Sequence, residues 1–145
     1  MEIILKSLKD TQKLAYDLAA KIASVPGPAV IALYGDLGSG KTAFLQFFAR
    51  ALGVREKVLS PSFLIVKTFR LPKKTKGFKF LVHIDTYRIK TAKELISLGL
   101  KDILRDQESI VAIEWPEKIS RYLPANTIKI KFEVAGKKER RITVN

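Results

Sequence analysis

The stretch Ala29-Val30-Ile31-Ala32-Leu33-Tyr34-Gly35-Asp36-Leu37-Gly38-Ser39-Gly40-Lys41-Thr42 decides how this chain folds. Its first six residues are apolar and suit a buried strand, and the next eight have the spacing G-x-x-x-x-G-K-T. Glycines at 35, 38 and 40 let the backbone curl with its N–H groups turned inward. Lys41 supplies a point charge for outer phosphates, and the Thr42 hydroxyl can ligate magnesium. From Thr42 to Leu52, Phe44, Leu45, Phe47, Phe48, Ala51 and Leu52 recur at helical spacing. Strand, loop and helix therefore follow in the order that phosphate binding requires, and the residues Gly35, Asp36, Leu37, Gly38, Ser39, Gly40, Lys41 and Thr42 are expected to hold ATP or GTP.

Composition narrows the class. The 145 residues are 47% hydrophobic, enough for one domain spanning 1–145 with a core of its own. No apolar run approaches the roughly 18 residues of a membrane span, and Met1 to Lys6 is too short and too early charged for a signal peptide, so a cytoplasmic protein is expected. With no cysteine, disulfides, Cys-ligated zinc and thiol nucleophiles are excluded, and the single histidine, His83, cannot build a histidine metal cluster. Magnesium is the one metal the residues suggest. The net charge of +13 is uneven: residues 67 to 93 carry nine Lys or Arg against Asp85 alone, and residues 129 to 141 carry six against Glu133 and Glu139. Such segments suit RNA, an acidic protein or a merely solvated face. The aromatics Phe63, Phe69, Phe78 and Phe80 sit in apolar strand patterns and form no stacking platform among the lysines.

The rest of the chain reads as alternating elements. Asp10 or Thr11 is expected to cap a helix running to about Ser24, with Pro26-Gly27-Pro28 as punctuation before the strand at 29. Phe63 to Leu71 and Phe78 to Ile84 read as strands joined by the polar turn Pro72 to Gly77, short enough for an antiparallel hairpin. Thr91 to Leu98 and Lys101 to Arg105 read as short helices split by Gly99, Ser109 to Ile113 as a strand, and Thr127 to Val134 with Glu139 to Val144 as a second hairpin. Hairpins mixed with helical crossovers predict a mixed central β-sheet with flanking helices, and with the G-x-x-x-x-G-K-T loop between strand and helix the expected class is an α/β, P-loop NTPase-like three-layer fold.

Two further constellations, His83-Ile84-Asp85-Thr86-Tyr87-Arg88 and Ile113-Glu114-Trp115-Pro116-Glu117, each put an acid at a strand's end. In open α/β sheets ligands sit beyond the carboxyl ends of the strands, which would bring Asp85 and Glu114 towards the phosphate loop. There they could hold the metal and orient an attacking water; a helix cap or an ion pair with a base such as Arg88 is the structural alternative. Ser60-Pro61-Ser62-Phe63 either meets the nucleotide through its hydroxyls or simply starts a strand. His83 is read as a core histidine or a helper beside Asp85, and Trp115 as core packing or a cover over nucleotide or partner.

Four motifs, Gly35 to Thr42, Ser60 to Phe63, His83 to Arg88 and Glu114-Trp115-Pro116, match in order and spacing those of the TsaE (YjeE) family, the small P-loop ATPases of bacterial tRNA threonylcarbamoyladenosine modification, which this chain resembles over essentially its whole length. The resemblance implies ATP held by Gly35 through Thr42, Mg²⁺ at Thr42 and Glu114 with Asp85 beside it, and catalytic support from Lys41, Asp85 and Glu114. It further implies Ser62 and Thr11 near the nucleotide, Thr11 on the adenine side. It also implies a TsaD–TsaB complex as partner, reset between turnovers by hydrolysis, with tRNA contact weak or indirect. Ser62 stands where family members often have Thr, and Ala43 where they often have Ser or Thr. Rival readings are a small-molecule kinase, which would need a longer lid than Lys73 to Lys79 provides, and a nucleotide-dependent binding module that does not hydrolyse. ATP is preferred over GTP because no Asn-Lys-x-Asp element is present, the asparagines being Asn126 and Asn145.

Overall fold

In the computed structural model, which describes residues 1–58, 65–72, 75 and 77–145, one seven-stranded sheet organises the chain. Its strands are β1 (Glu2–Leu5), β2 (Ala29–Tyr34), β3 (Val66–Arg70), β4 (Phe80–Asp85), β5 (Ser109–Glu114), β6 (Ile128–Val134) and β7 (Arg140–Val144), in the spatial order β1-β7-β6-β2-β5-β4-β3. The inner four, β4, β5, β2 and β6, run parallel; β3 pairs antiparallel with β4 at one edge, and β7 and β1 continue antiparallel at the other. The sheet is mixed, as the two hairpins predict.

Alternation of side chains along the strands divides the core. Ile31, Leu33, Leu81, Ile110, Ala112, Ile130, Phe132 and Ile142 face the layer formed by α1 (Leu8–Ala23) and α2 (Lys41–Ala51). Val30, Val82, Ile84, Val111 and Ile113 face α3 (Ala92–Ser97), α4 (Leu100–Arg105) and a 3₁₀ helix over Pro116–Tyr122. Strands β2 and β5 are buried on both sides, which is why they read as continuous apolar runs, whereas β6 alternates buried Ile130 and Phe132 with exposed Lys129 and Lys131. On the edge strand β3, exposed Lys67 and Arg70 oppose pairing with another chain. Phe44 and Phe48 stack with ring centroids 6.0 Å apart, and Phe44 meets Phe132 edge-on at 5.5 Å, locking α2 to the sheet. Each such fully buried side chain contributes about 1.5–3 kcal/mol. Ala15 and Ala19 on the inner face of α1 are small enough for α2 to pack closely against them.

Three details differ from the sequence reading. The cap of α1 is Ser7, not Asp10 or Thr11: Asp10 N donates to Ser7 Oγ at 3.3 Å and Lys6 N donates to Asp10 Oδ2 at 2.8 Å, a reciprocal box that starts the helix three residues earlier. Thr11 is thereby turned inward, buried, with its hydroxyl donating to Ser7 O at 3.4 Å. Strand β1 carries no local signal of its own and is defined by its pairing with β7, Leu5 opposite Arg140 and Glu2 opposite Thr143. The turn after Trp115 is 3₁₀-helical with Pro116 in its first turn, where proline's missing N–H costs nothing. The segment Ser60-Pro61-Ser62-Phe63, and Lys73, Lys74 and Lys76 of the basic hairpin tip, lie outside the described residues.

Candidate functional site

The parallel order of β4, β5, β2 and β6 brings four carboxyl ends to one edge of the sheet: Asp85, Glu114, Tyr34 and Val134. The loop leaving β2 carries its glycines at φ +142 (Gly35), +78 (Gly38) and +108 (Gly40), where side-chain-bearing residues are strained. At Gly35 space matters as much as φ, because a Cβ there would lie 2.6 Å from Phe132 O and 2.7 Å from Ser39 Oγ. Gly40 precedes α2, so the first N–H groups of an eleven-residue helix point at the loop and add its positive dipole end. Ser39 Oγ is buried and, among the described residues, is the side-chain polar atom of this kind left without a hydrogen-bond partner. An unsatisfied hydroxyl inside a ring of backbone donors suits a bound anion.

Lys41 is 4% exposed, and its ammonium donates to Gly35 O while lying 3.4 Å from the centroid of the Trp115 ring. Burial pushes the Lys41 amine below its ordinary value, opposed by the negative charges of Glu114, Glu117, Asp85 and Asp36. Thr42, the next residue, is exposed at the start of α2.

Asp85 and Glu114 stand opposite one another in the β4–β5 register, both buried and on the sheet face that α1 and α2 cover. Their surroundings differ. Asp85 Oδ1 accepts from Tyr87 N at 3.0 Å, whereas Glu114 Oε2 lies 2.8 Å from His83 Nε2, both side chains almost wholly buried. His83 is thus tied to Glu114 on the neighbouring strand. Thr86 supports the turn, its N–H and hydroxyl both donating to Glu114 O at 3.1 Å and the hydroxyl also to Trp115 O. Trp115 is half-buried, neither pure core nor free cover, and the Tyr87 ring packs on it at 5.0 Å.

Two cavities flank the loop. One, of about 560 Å³, touches Tyr34, Gly35, Asp36, Trp115 and Glu117. Burial, with Glu117 close by, raises the Tyr34 phenol above its ordinary value. The other, of about 450 Å³, is lined by Leu8, Thr11, Gly40, Ala43, Lys137 and Arg140 among others. Thr11, which the family resemblance puts near a nucleotide, lines this cavity, as does Arg140, a residue the sequence does not single out, whose Nη2 donates to Gly38 O at 3.4 Å while Nη1 donates to Glu139 O at 3.0 Å. No motif marks this arginine; the β6–β7 hairpin alone carries it to the loop. Among the described residues no three His, Asp or Glu side chains cluster to hold a metal by themselves, and no helix is long and apolar enough to cross a membrane.

Residues 5–142 match the family described as Threonylcarbamoyl adenosine biosynthesis protein TsaE. The tRNA threonylcarbamoyladenosine biosynthesis protein TsaE of Bacillus subtilis is 38% identical over 114 residues, covering 79% of this chain and 67% of that protein. The protein of the same name from Aquifex aeolicus is 34% identical over 145 residues, covering 99% of this chain and 94% of its own. A crystal structure of Bacillus subtilis YdiB superposes with a TM-score of 0.70 at 28% identity, over 99% of this chain and 83% of that one. The fold is P-loop NTPase-like, and the loop, both strand-end acids and both flanking cavities draw on the matched span: the chain belongs to the TsaE family.

Proposed function

We propose that this protein binds and hydrolyses ATP as the nucleotide-driven component of tRNA threonylcarbamoyladenosine synthesis, acting on a TsaD–TsaB complex in the cytoplasm. The observation that carries this reading is the loop itself: three glycines at positive φ, the unsatisfied Ser39 hydroxyl and the buried Lys41 ammonium converge at the N-terminus of α2, beside two strand-end carboxylates. In this reading the phosphates lie in the Gly35 to Thr42 cradle. The nucleoside lies in the 450 Å³ cavity against Thr11 and Ala43, with Arg140 and Lys137 at its rim. Membership of the family and the names of its relatives support the pathway.

The donors available for magnesium are the Thr42 hydroxyl and the carboxylates of Glu114 and Asp85, all hard oxygens. One or two carboxylates plus the nucleotide's own phosphates are the ligand set this ion prefers. When bound, the ion neutralises charge on the transferring phosphoryl group. The protein's own contribution is positioning and electrostatics: Lys41 meets the outer phosphates, loop amides fix their geometry, and Asp85 orients water for in-line attack. His83 holds the Glu114 carboxylate in one orientation.

ATP hydrolysis measured with and without a TsaD–TsaB pair tests activity and partner together. Turnover is expected to rise with the pair and to vanish in Lys41→Ala, which removes the loop's cation and leaves the backbone cradle intact. Wild-type turnover by Lys41→Ala at saturating magnesium and partner would end the assignment of this loop as the working site.

A further inference from the structure

The ammonium that an outer phosphate must reach is already occupied from within the chain. Lys41 Nζ sits over the Trp115 ring and donates to Gly35 O. Trp115 is held there at φ 57, ψ 54, the left-handed region that is costly for a bulky side chain. Two groups hold it there, the Thr86 hydroxyl on the carbonyls of Glu114 and Trp115 and the Tyr87 ring packed at 5.0 Å, against the preference for extended backbone that Pro116 places on the residue before it. A strained backbone that presents a ring to a buried cation is a device under tension. Its outer side is accessible, since Trp115 is half-buried and its neighbour Tyr87 is 51% exposed.

We propose that Trp115 is an internal plug on the phosphate site: its ring holds the Lys41 ammonium by a cation–π contact in the nucleotide-free protein and is displaced when a triphosphate's outer phosphate takes that ammonium. The inference rests on the nucleotide reading above and adds a switch to it. A phosphate and the ring face compete for one cation, and the phosphate is the stronger partner because its charge is formal rather than a ring quadrupole. Displacement frees the residue from the left-handed region and repacks Tyr87, so the surface beside the site differs between the two states.

Trp115 is the chain's single tryptophan and therefore an unambiguous reporter. The full chain is titrated with Mg²⁺ and the β,γ-imido analogue of ATP while the Trp115 emission maximum and acrylamide quenching are followed, with binding measured independently by calorimetry. Saturation is expected to shift the emission to the red and to raise the quenching constant about twofold. Trp115→Leu, checked for native circular dichroism, is expected to bind the analogue about fivefold more tightly than wild type, the size of a cation–π contact removed. Trp115→Phe, which keeps a weaker ring in place, falls between them. Unchanged emission and quenching at calorimetric saturation, or weaker binding by Trp115→Leu, would overturn the plug while leaving the nucleotide reading intact. Absence of binding heat in wild type and Trp115→Leu alike would overturn both, and binding by Trp115→Leu alone would support the plug in its strongest form.

Discussion

His83 Nε2 lies 2.8 Å from Glu114 Oε2 across the β4–β5 boundary, and this one contact makes the two strand-end acids unequal. Glu114 is a buried carboxylate with a fixed orientation; Asp85, its register partner, instead receives the Tyr87 amide at the mouth of the following turn. The two carboxylates are therefore suited to different tasks, one held rigidly beside the loop and one at the turn.

Removing the imidazole should cost stability first. His83→Ala leaves Glu114 buried and without this partner, and unfolding in urea is expected to show a loss of about 2–4 kcal/mol. His83→Asn retains a donor and should lose less. An unchanged urea midpoint in His83→Ala would mean that the contact has no net value to the fold.

Charge at the acids is expected to matter to rate more than to folding. Glu114→Gln and Asp85→Asn keep size and hydrogen-bonding capacity, so each should lower ATP hydrolysis at least about tenfold with little change in melting temperature. Normal turnover accompanied by a melting temperature several degrees lower would reassign both side chains to a structural role.

Gly35 tests the shape of the cradle independently of charge. Its φ of +142 and the 2.6 Å approach of a Cβ to Phe132 O leave no room for a methyl group, since the obstacle is backbone. Gly35→Ala should destabilise the protein by about 1–3 kcal/mol and weaken ATP binding in calorimetry. Gly38, around which a Cβ would meet nothing within 4 Å, should tolerate alanine with a smaller loss set by φ alone. Equal effects at the two positions would contradict this.

The Lys41 amine supplies a pH dependence whose sign is determined. Burial lowers its value from 10.5 in the free protein, and nucleotide phosphates favour the ammonium and raise it again. The bound state thus holds more protons on the alkaline side of neutrality. Affinity should fall as pH rises through the free protein's lowered Lys41 value, with proton uptake on binding. Calorimetry in alkaline buffers of different ionisation enthalpy measures that uptake; proton release would contradict the assignment.

The chain's local chemistry was legible in order. Strand β2, the glycine loop, α2, the two hairpins and the acids at the ends of β4 and β5 each depend on residues within about 20 positions of one another, where apolar period, turn residues and spacing act directly. The capping of α1 is also local but ambiguous in sequence, because Ser7, Asp10 and Thr11 can all cap and only the bonds between Lys6, Ser7 and Asp10 select among them.

Which distant residues meet is set by the assembled sheet. β1 exists because β7 offers it an edge from the far end of the chain; His83 finds Glu114 at 31 residues' separation; Arg140 reaches Gly38 at 102; and the Trp115 ring settles on Lys41. None of these pairs leaves a mark in either partner's neighbourhood, because each contact is set by strand order and register rather than by propensity. Local sequence signals sufficed for a glycine-rich loop between strand and helix on a mixed sheet. The parallel order β4-β5-β2-β6, which buries apolar strands on both faces and leaves their carboxyl ends together, determined what surrounds that loop.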